Sequence, residues 1–140
     1  VDGNWRWKAM IPKFRAWDKR KQLMREVAVL HFNKNGNVSG IEYWKTPYDL
    51  QSIHANYINV MQSTGMEDKN GVEIYEGDIV LFTIEDGFDY VYGKPGRINL
   101  SLQWGAGVRA ISSGNYPLRK CREVRIIGNI YENPELLEVK

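Results

Sequence analysis

The run Gly105-Ala106-Gly107-Val108-Arg109-Ala110 has the glycine spacing of a dinucleotide-binding turn, with Ala at its last position and a strand-like stretch before it. That chemistry needs a helix to follow, so that its first amides face a pyrophosphate. The next residues, Ile111-Ser112-Ser113-Gly114-Asn115-Tyr116-Pro117, are poor helix material, so the glycines read as a hairpin corner. Asp68, Asn70 and Gly71 echo the middle of a calcium loop. Aligning that glycine, however, puts Met66 at the first ligand position and Gly77 at the last, where a carboxylate is required. The two histidines, His31 and His54, fall on different elements, which suits neither a zinc motif nor a histidine relay. Cys121, the single cysteine, stands between Lys120 and Arg122 and would be an activated thiol if exposed. Strand alternation would instead turn it away from both neighbours, as a buried structural residue. No serine lies in a nucleophile-elbow pattern, and the adjacent carboxylates Glu85 and Asp86 occupy an expected turn. These residues predict no catalytic group, no metal site and no cofactor: the chain reads as a non-enzyme.

One positive constellation remains. Arg109, Arg119, Lys120, Arg122 and Arg125 are interleaved with Trp104 and Tyr116 on stretches that read as neighbouring strands. Cations that track phosphates, with aromatics on which bases stack, are what a single-stranded nucleic-acid groove uses. The candidate surface for nucleic acid or another partner is therefore Arg109, Tyr116, Arg119, Lys120, Arg122 and Arg125. A competing reading makes Trp104, at the end of an apolar run, a core residue, and pairs the basic strands with an acidic segment of the same chain or of another copy.

The elements that must position these residues are mostly strands, since aromatic and β-branched residues recur in short runs cut by turns. Lys13 to Trp17 alternates polar and apolar residues before the polar turn Asp18-Lys19-Arg20-Lys21. Val27 to Phe32 and Val38 to Trp44 flank Asn33-Lys34-Asn35-Gly36-Asn37, a hairpin turn in which Gly36 tolerates positive φ. Residues 46–56 read as a short helix or loop opened by Pro47. Further strands are expected at 58–62, 79–84, from Tyr90, at 98–104, 108–111 and 123–127, with a terminal helical turn at Asn133-Pro134-Glu135. Such spacing favours a small barrel or sandwich.

With 140 residues, 43% hydrophobic and 26% charged, the chain has ordinary globular composition and is not a disordered one. Its longest aliphatic run, Val27 to Leu30, is far short of a membrane span, and the lone cysteine suits a reducing cytosol, so a soluble cytoplasmic protein is expected. Net charge is only +2, but it is zoned. Residues 1–25 hold eight Lys or Arg against two Asp; residues 67–89 hold eight acids against Lys69; residues 90–130 hold seven cations against Glu123. Opposite zones predict pairing within the chain or, as a homo-oligomer, between copies. Residues 1–9 precede Met10-Ile11-Pro12, a natural bacterial start, and read as an upstream or non-native extension.

Three segments carry a family resemblance: Lys13-Phe14-Arg15-Ala16-Trp17-Asp18, the run from Met61 to Val80 with Thr64-Gly65, Asp68-Lys69-Asn70-Gly71 and Glu76-Gly77-Asp78 at its centre, and Ile126-Ile127-Gly128-Asn129-Ile130-Tyr131-Glu132-Asn133-Pro134-Glu135-Leu136-Leu137. Together they resemble the YopX family of phage and prophage proteins. The resemblance implies a mainly β protein with few short helical turns, a small N-terminal β-rich portion at 10–63 and a C-terminal SH3-like barrel at 64–140. It implies no catalytic residue. The expected function is a phage-encoded accessory protein that binds a protein partner or itself, with single-stranded nucleic-acid binding as the alternative.

Overall fold

The computed structural model describes residues 12–86, 89–111 and 114–138. The protein is mainly β, and its only helical elements among these residues are short 3-10 turns. The chain divides into two compact units, the boundary falling between Gln62 and Ser63. The expected extension at 1–9 lies outside the described residues.

The N-terminal unit is built on β1 (Phe14–Asp18), β2 (Leu23–Phe32), β3 (Val38–Thr46), β4 (Asp49–His54) and the first half of β5 (Ile58–Glu67), in the order β4-β3-β2-β1-β5, all antiparallel. Asp18 makes the β1–β2 turn. Its Oδ1 accepts from the amides of Arg20 (3.0 Å) and Lys21 (3.2 Å), and its Oδ2 from Arg25 Nε (3.3 Å). The β2–β3 turn is the anticipated one: Asn33 Oδ1 accepts from the amides of Asn35 and Asn37, and Gly36 has φ +82°. The short helix or loop expected at 46–56 is instead a hairpin. Thr46 Oγ1 accepts from the amides of Tyr48 and Asp49, which reverses the chain around Pro47 and starts β4 within three residues. Only the 3-10 turn Ala55–Tyr57 is helical there. Ala16, Ile41, Tyr43, Ile53 and Ile58 form the core, with Val27, Leu30 and Val60 against it.

The C-terminal unit continues from the second half of β5, which pairs with β6 (Glu73–Tyr75). Its main sheet consists of β7 (Asp78–Asp86), β8 (Asp89–Ser101), β9 (Gly105–Ala110), β10 (Gly114–Pro117) and β11 (Arg122–Asn129), in the order β10-β9-β8-β7-β11. The sheet is open: no ladder joins β10 to β11 among the described residues. Two local expectations change here. The glycines Gly105 and Gly107 lie within β9, and the corner is Leu102 to Trp104, where Ser101 Oγ accepts from the amides of Gln103 (3.1 Å) and Trp104 (3.3 Å). Cys121 lies at the end of the 3-10 turn Leu118–Lys120, not in a strand. Ile74, Val80, Phe82, Ile84, Ile98, Val108, Ala110, Leu118 and Val124 form the core of this unit.

Two of the three segments that carry the family resemblance, 61–80 and 126–137, meet in this unit through hydrogen bonds to backbone groups. Buried Asp68 accepts from the amides of Asn70 and Val72 (both 2.9 Å) through Oδ1 and from that of Ile126, 58 residues away, through Oδ2 (3.1 Å). Burial pushes this carboxyl up, but the Val72, Ile126 and Asn70 amides and the charge of Lys69 outweigh it and hold Asp68 below the ordinary value. Lys69 N donates to Val124 O, and Ile130 N donates to Gly77 O. Asp78 is buried too and accepts from the Tyr75 amide (2.8 Å). Two carboxylates of the acidic zone are thus hydrogen-bonded to backbone amides within turns.

Candidate functional site

Side chains paired across an antiparallel ladder share one face, and burial distinguishes the two faces of the β10-β9-β8-β7-β11 sheet. Val80, Phe82, Ile84, Ile98, Val108 and Ala110 point to the core. The other face carries a row across three strands, Asn115↔Arg109↔Arg97, which meets fully buried Ile79 on β7; the pairs Leu81↔Arg125 and Thr83↔Arg122 lie two and four residues further along β7 on the same face. All four of these arginines are exposed. Arg97 and Arg109 are direct cross-strand partners. Arg125 sits three strand spacings from Arg109, ~14 Å across the sheet.

The predicted constellation is therefore divided. Arg109, Arg122 and Arg125 share the outer face, but they come from β9 and β11, which β8 and β7 separate, and not from neighbouring strands. Arg119 and Lys120 belong to the 3-10 turn Leu118–Lys120 and are exposed. Tyr116 is half-buried and opposes core-facing Val108, its ring 5.8 Å from that of Phe82. The alternative placement of Trp104 in the core is overturned: its side chain is 75% exposed, because the Ser101 turn carries it beyond the end of the sheet. Cys121 is half-buried with Sγ 3.4 Å from Pro117 O, and burial pushes its thiol up to about 11. It is thus a packed structural thiol, although the 3-10 turn and not strand alternation turns it inward.

Two grooves flank the arginine row. The first, ~440 Å³, is lined by Trp104, Asn99, Gly107, Asn115, Tyr116 and Arg119. The second, ~480 Å³, is lined by Tyr92, Thr83, Lys69, Arg122, Glu123 and Arg125. A β-bulge presents Tyr92: it and Gly93, with φ +56°, stand together opposite Thr83, and Tyr92 is 69% exposed. Lys69 Nζ lies 3.5 Å from Glu123 Oε2 in the second groove.

The cations of the two units are used differently. In the N-terminal unit Arg25 reaches Asp18 (3.3 Å) and covers the Tyr43 ring at 4.4 Å, while Arg20 covers Tyr57 at 4.8 Å. Burial raises the Asp18 carboxyl, yet the Lys21 and Arg20 amides and the Arg25 guanidinium outweigh it and hold it low. Arg97, Arg109, Arg119, Arg122 and Arg125 have no carboxylate of any described residue within 4.0 Å. Arg97, Tyr92, Asn99 and Asn115 were not among the residues singled out from sequence. Arg97 was detectable only by registering β8 against β9, and Tyr92 only by recognising the Tyr92-Gly93 bulge. No cluster of three or more His, Cys, Asp or Glu able to hold a metal occurs among the described residues. Nor does any described helix have the length and apolarity to cross a membrane.

The chain is thus a two-unit, mainly β protein with an arginine-bearing open sheet. Residues 13–138 match the family described as YopX protein, and the chain belongs to the YopX family. The crystal structure of protein EF1440 from Enterococcus faecalis is similar at 30% identity and a TM-score of 0.63, covering 91% of this chain and 99% of that one. Comparison with curated proteins finds no match.

Proposed function

We propose that this protein is a non-enzymatic, phage- or prophage-encoded accessory protein of the bacterial cytoplasm that binds single-stranded nucleic acid on the outer face of its C-terminal sheet. The Arg97–Arg109 pair carries this reading. Like charges directly opposed across two strands destabilise a sheet, and here no carboxylate of the described residues relieves them. A folded chain that keeps four arginines unneutralised on one face has a ready complement in a polyanion, and exposed Trp104 and Tyr92 at its two ends offer stacking platforms. The nucleic-acid alternative thereby takes precedence over the protein-partner reading, and Tyr116 gives way to Trp104 and Tyr92 as the aromatic component. The meander β7-β8-β9-β10, with β11 returning to pair β7, supports reading this unit as an opened variant of the SH3-like barrel.

Fluorescence anisotropy with a mixed-sequence single strand, repeated as salt is raised, tests the proposal. Four arginines meeting one phosphate each give a slope of log K against log salt of about −2.8, and the double variant R97Q/R109Q lowers its magnitude by about 1.4. Absence of salt-dependent binding at low salt would refute it.

A second reading, self-association through the N-terminal unit, is favoured by the pair Trp44↔Leu50 on β3 and β4. They are 50% and 42% exposed, with Val29 on the same face and β4 an open sheet edge. Sedimentation at high micromolar concentration should then show a dimer that L50E abolishes; a monomer would remove this reading.

A further inference from the structure

The groove beside Trp104 is built for more than backbone contact. Its floor is Gly107, where a β-carbon would stand 3.1 Å from Asn99 Oδ1 and 3.3 Å from Tyr116 O, so the missing side chain is what leaves the space open. Asn99 and Asn115 flank that floor from β8 and β10, both on the outer face. Neither amide hydrogen-bonds to another described residue, although Asn99 is half-buried. A primary amide offers a donor and an acceptor side by side and is matched by a flat partner with the reverse pair on one edge. The exposed Trp104 indole forms a wall for a flat ring, and Arg119 supplies a cation on the same lining. Stacking surface, bidentate amides and an unneutralised guanidinium together describe a base with its phosphate. The ~440 Å³ volume falls within the ~300–1,000 Å³ range of small-molecule sites.

We infer that this groove receives one nucleobase of the bound strand, stacked on Trp104 with its edge on Asn99 and Asn115 and its phosphate on Arg119, and that adenine is preferred. Adenine follows from the amides: its N6 donor and N7 acceptor are the pair an asparagine matches bidentately. The inference rests on the strand-binding reading, since Asn115 opposes Arg109 in register and the groove continues the arginine row.

Adenosine 5′-monophosphate titrated into the isotope-labelled protein tests it, with the Asn99 and Asn115 side-chain amide resonances as the readout and cytidine 5′-monophosphate as the comparison. The expected result is saturable displacement of both amide signals by the adenosine nucleotide, weaker by about tenfold or more in Trp104→Ala, as loss of one stacking contact requires. Trp104 is exposed, so its removal leaves the core intact, and an unchanged far-ultraviolet circular dichroism spectrum and urea midpoint in W104A verify the fold. Equal response to both nucleotides, or no displacement at millimolar concentration, overturns the inference. If the single strand still binds with its salt slope in that case, the arginine-face proposal stands alone; if neither nucleotide nor strand binds, both fall.

Discussion

Replacing Asp68 should be among the most damaging changes available outside the apolar core. Its carboxylate accepts three backbone amides, two in its own turn and one on β11. A hydrogen bond to a charged group contributes about 1.5–3 kcal/mol, and an ordinary one about 0.5–1.5 kcal/mol. Asn70 and Val72 are exposed, so water partly replaces their partner and the lower range applies to them; Ile126 is half-buried and takes the higher. Asp68→Ala is therefore expected to cost about 3–5 kcal/mol, a large fraction of the ~5–15 kcal/mol that stabilises a domain. Asp68→Asn separates the contributions: its oxygen can keep the two turn amides, while its NH₂ group meets the Ile126 N–H donor to donor, at a cost of about 1.5–3 kcal/mol. Urea denaturation followed by far-ultraviolet circular dichroism measures both. The carboxyl is held below its ordinary value of 3.8, so its contribution is fully present above pH 3.8 and is lost as pH falls through the folded value. The gap between wild type and D68N should therefore narrow on acidification. A D68N protein as stable as wild type at neutral pH, or a gap that widens in acid, would refute the reasoning.

Three other outcomes are expected. Gly128→Ala places a β-carbon 2.5 Å from Asn133 Oδ1, and Asn133 is itself held by the Asn129 amide, so a loss of about 1–3 kcal/mol should appear as a lowered urea midpoint. Gly40→Ala drives a β-carbon to 2.8 Å from Ile53 O, and hydrogen exchange should speed up along β3 and β4 while β7 and β8 stay protected. Cys121, with a thiol near 11, should resist iodoacetamide at pH 8 in the native protein and react rapidly once denatured; fast native alkylation would show that the thiol is neither packed nor desolvated.

Much of the scaffold was legible because its turns are written locally. Asn33 to Asn37, Asp18 to Lys21 and Asp68 to Gly71 each place an amide-accepting side chain or a glycine where the chain must reverse. The strand β4 was not legible, since Tyr48-Asp49-Leu50-Gln51-Ser52-Ile53 has no alternation that distinguishes it from a helical turn. Only Ile53 is buried there, and pairing with β3 decides the outcome. The site was half legible. The basic residues stood out by type, but their grouping depends on the order β10-β9-β8-β7-β11, a nonlocal property, and on bulges that re-aim individual side chains. Arg97 went unnoticed because its partner, Arg109, lies twelve residues away across a turn. Trp104 was ambiguous because an apolar run continues into a corner, which the Ser101 hydroxyl makes together with Gly105, whose φ is +72°.

The return of β11 to β7 has a consequence for the order of events during synthesis. Every strand partner in the N-terminal unit has left the ribosome once residue 62 has emerged, so that unit can complete its ladders while translation continues. The C-terminal unit cannot. The meander β7 to β10 forms from contiguous sequence, but one edge of β7 stays bare and Asp68 has no β11 amide to accept until Arg122 to Asn129 arrives. Contacts of such long sequence separation form late and slowly. A nascent chain stalled before residue 122 should therefore hold a folded first unit beside a protease-sensitive second one, and β7 is the strand whose exposed edge a chaperone or a neighbouring nascent chain would meet.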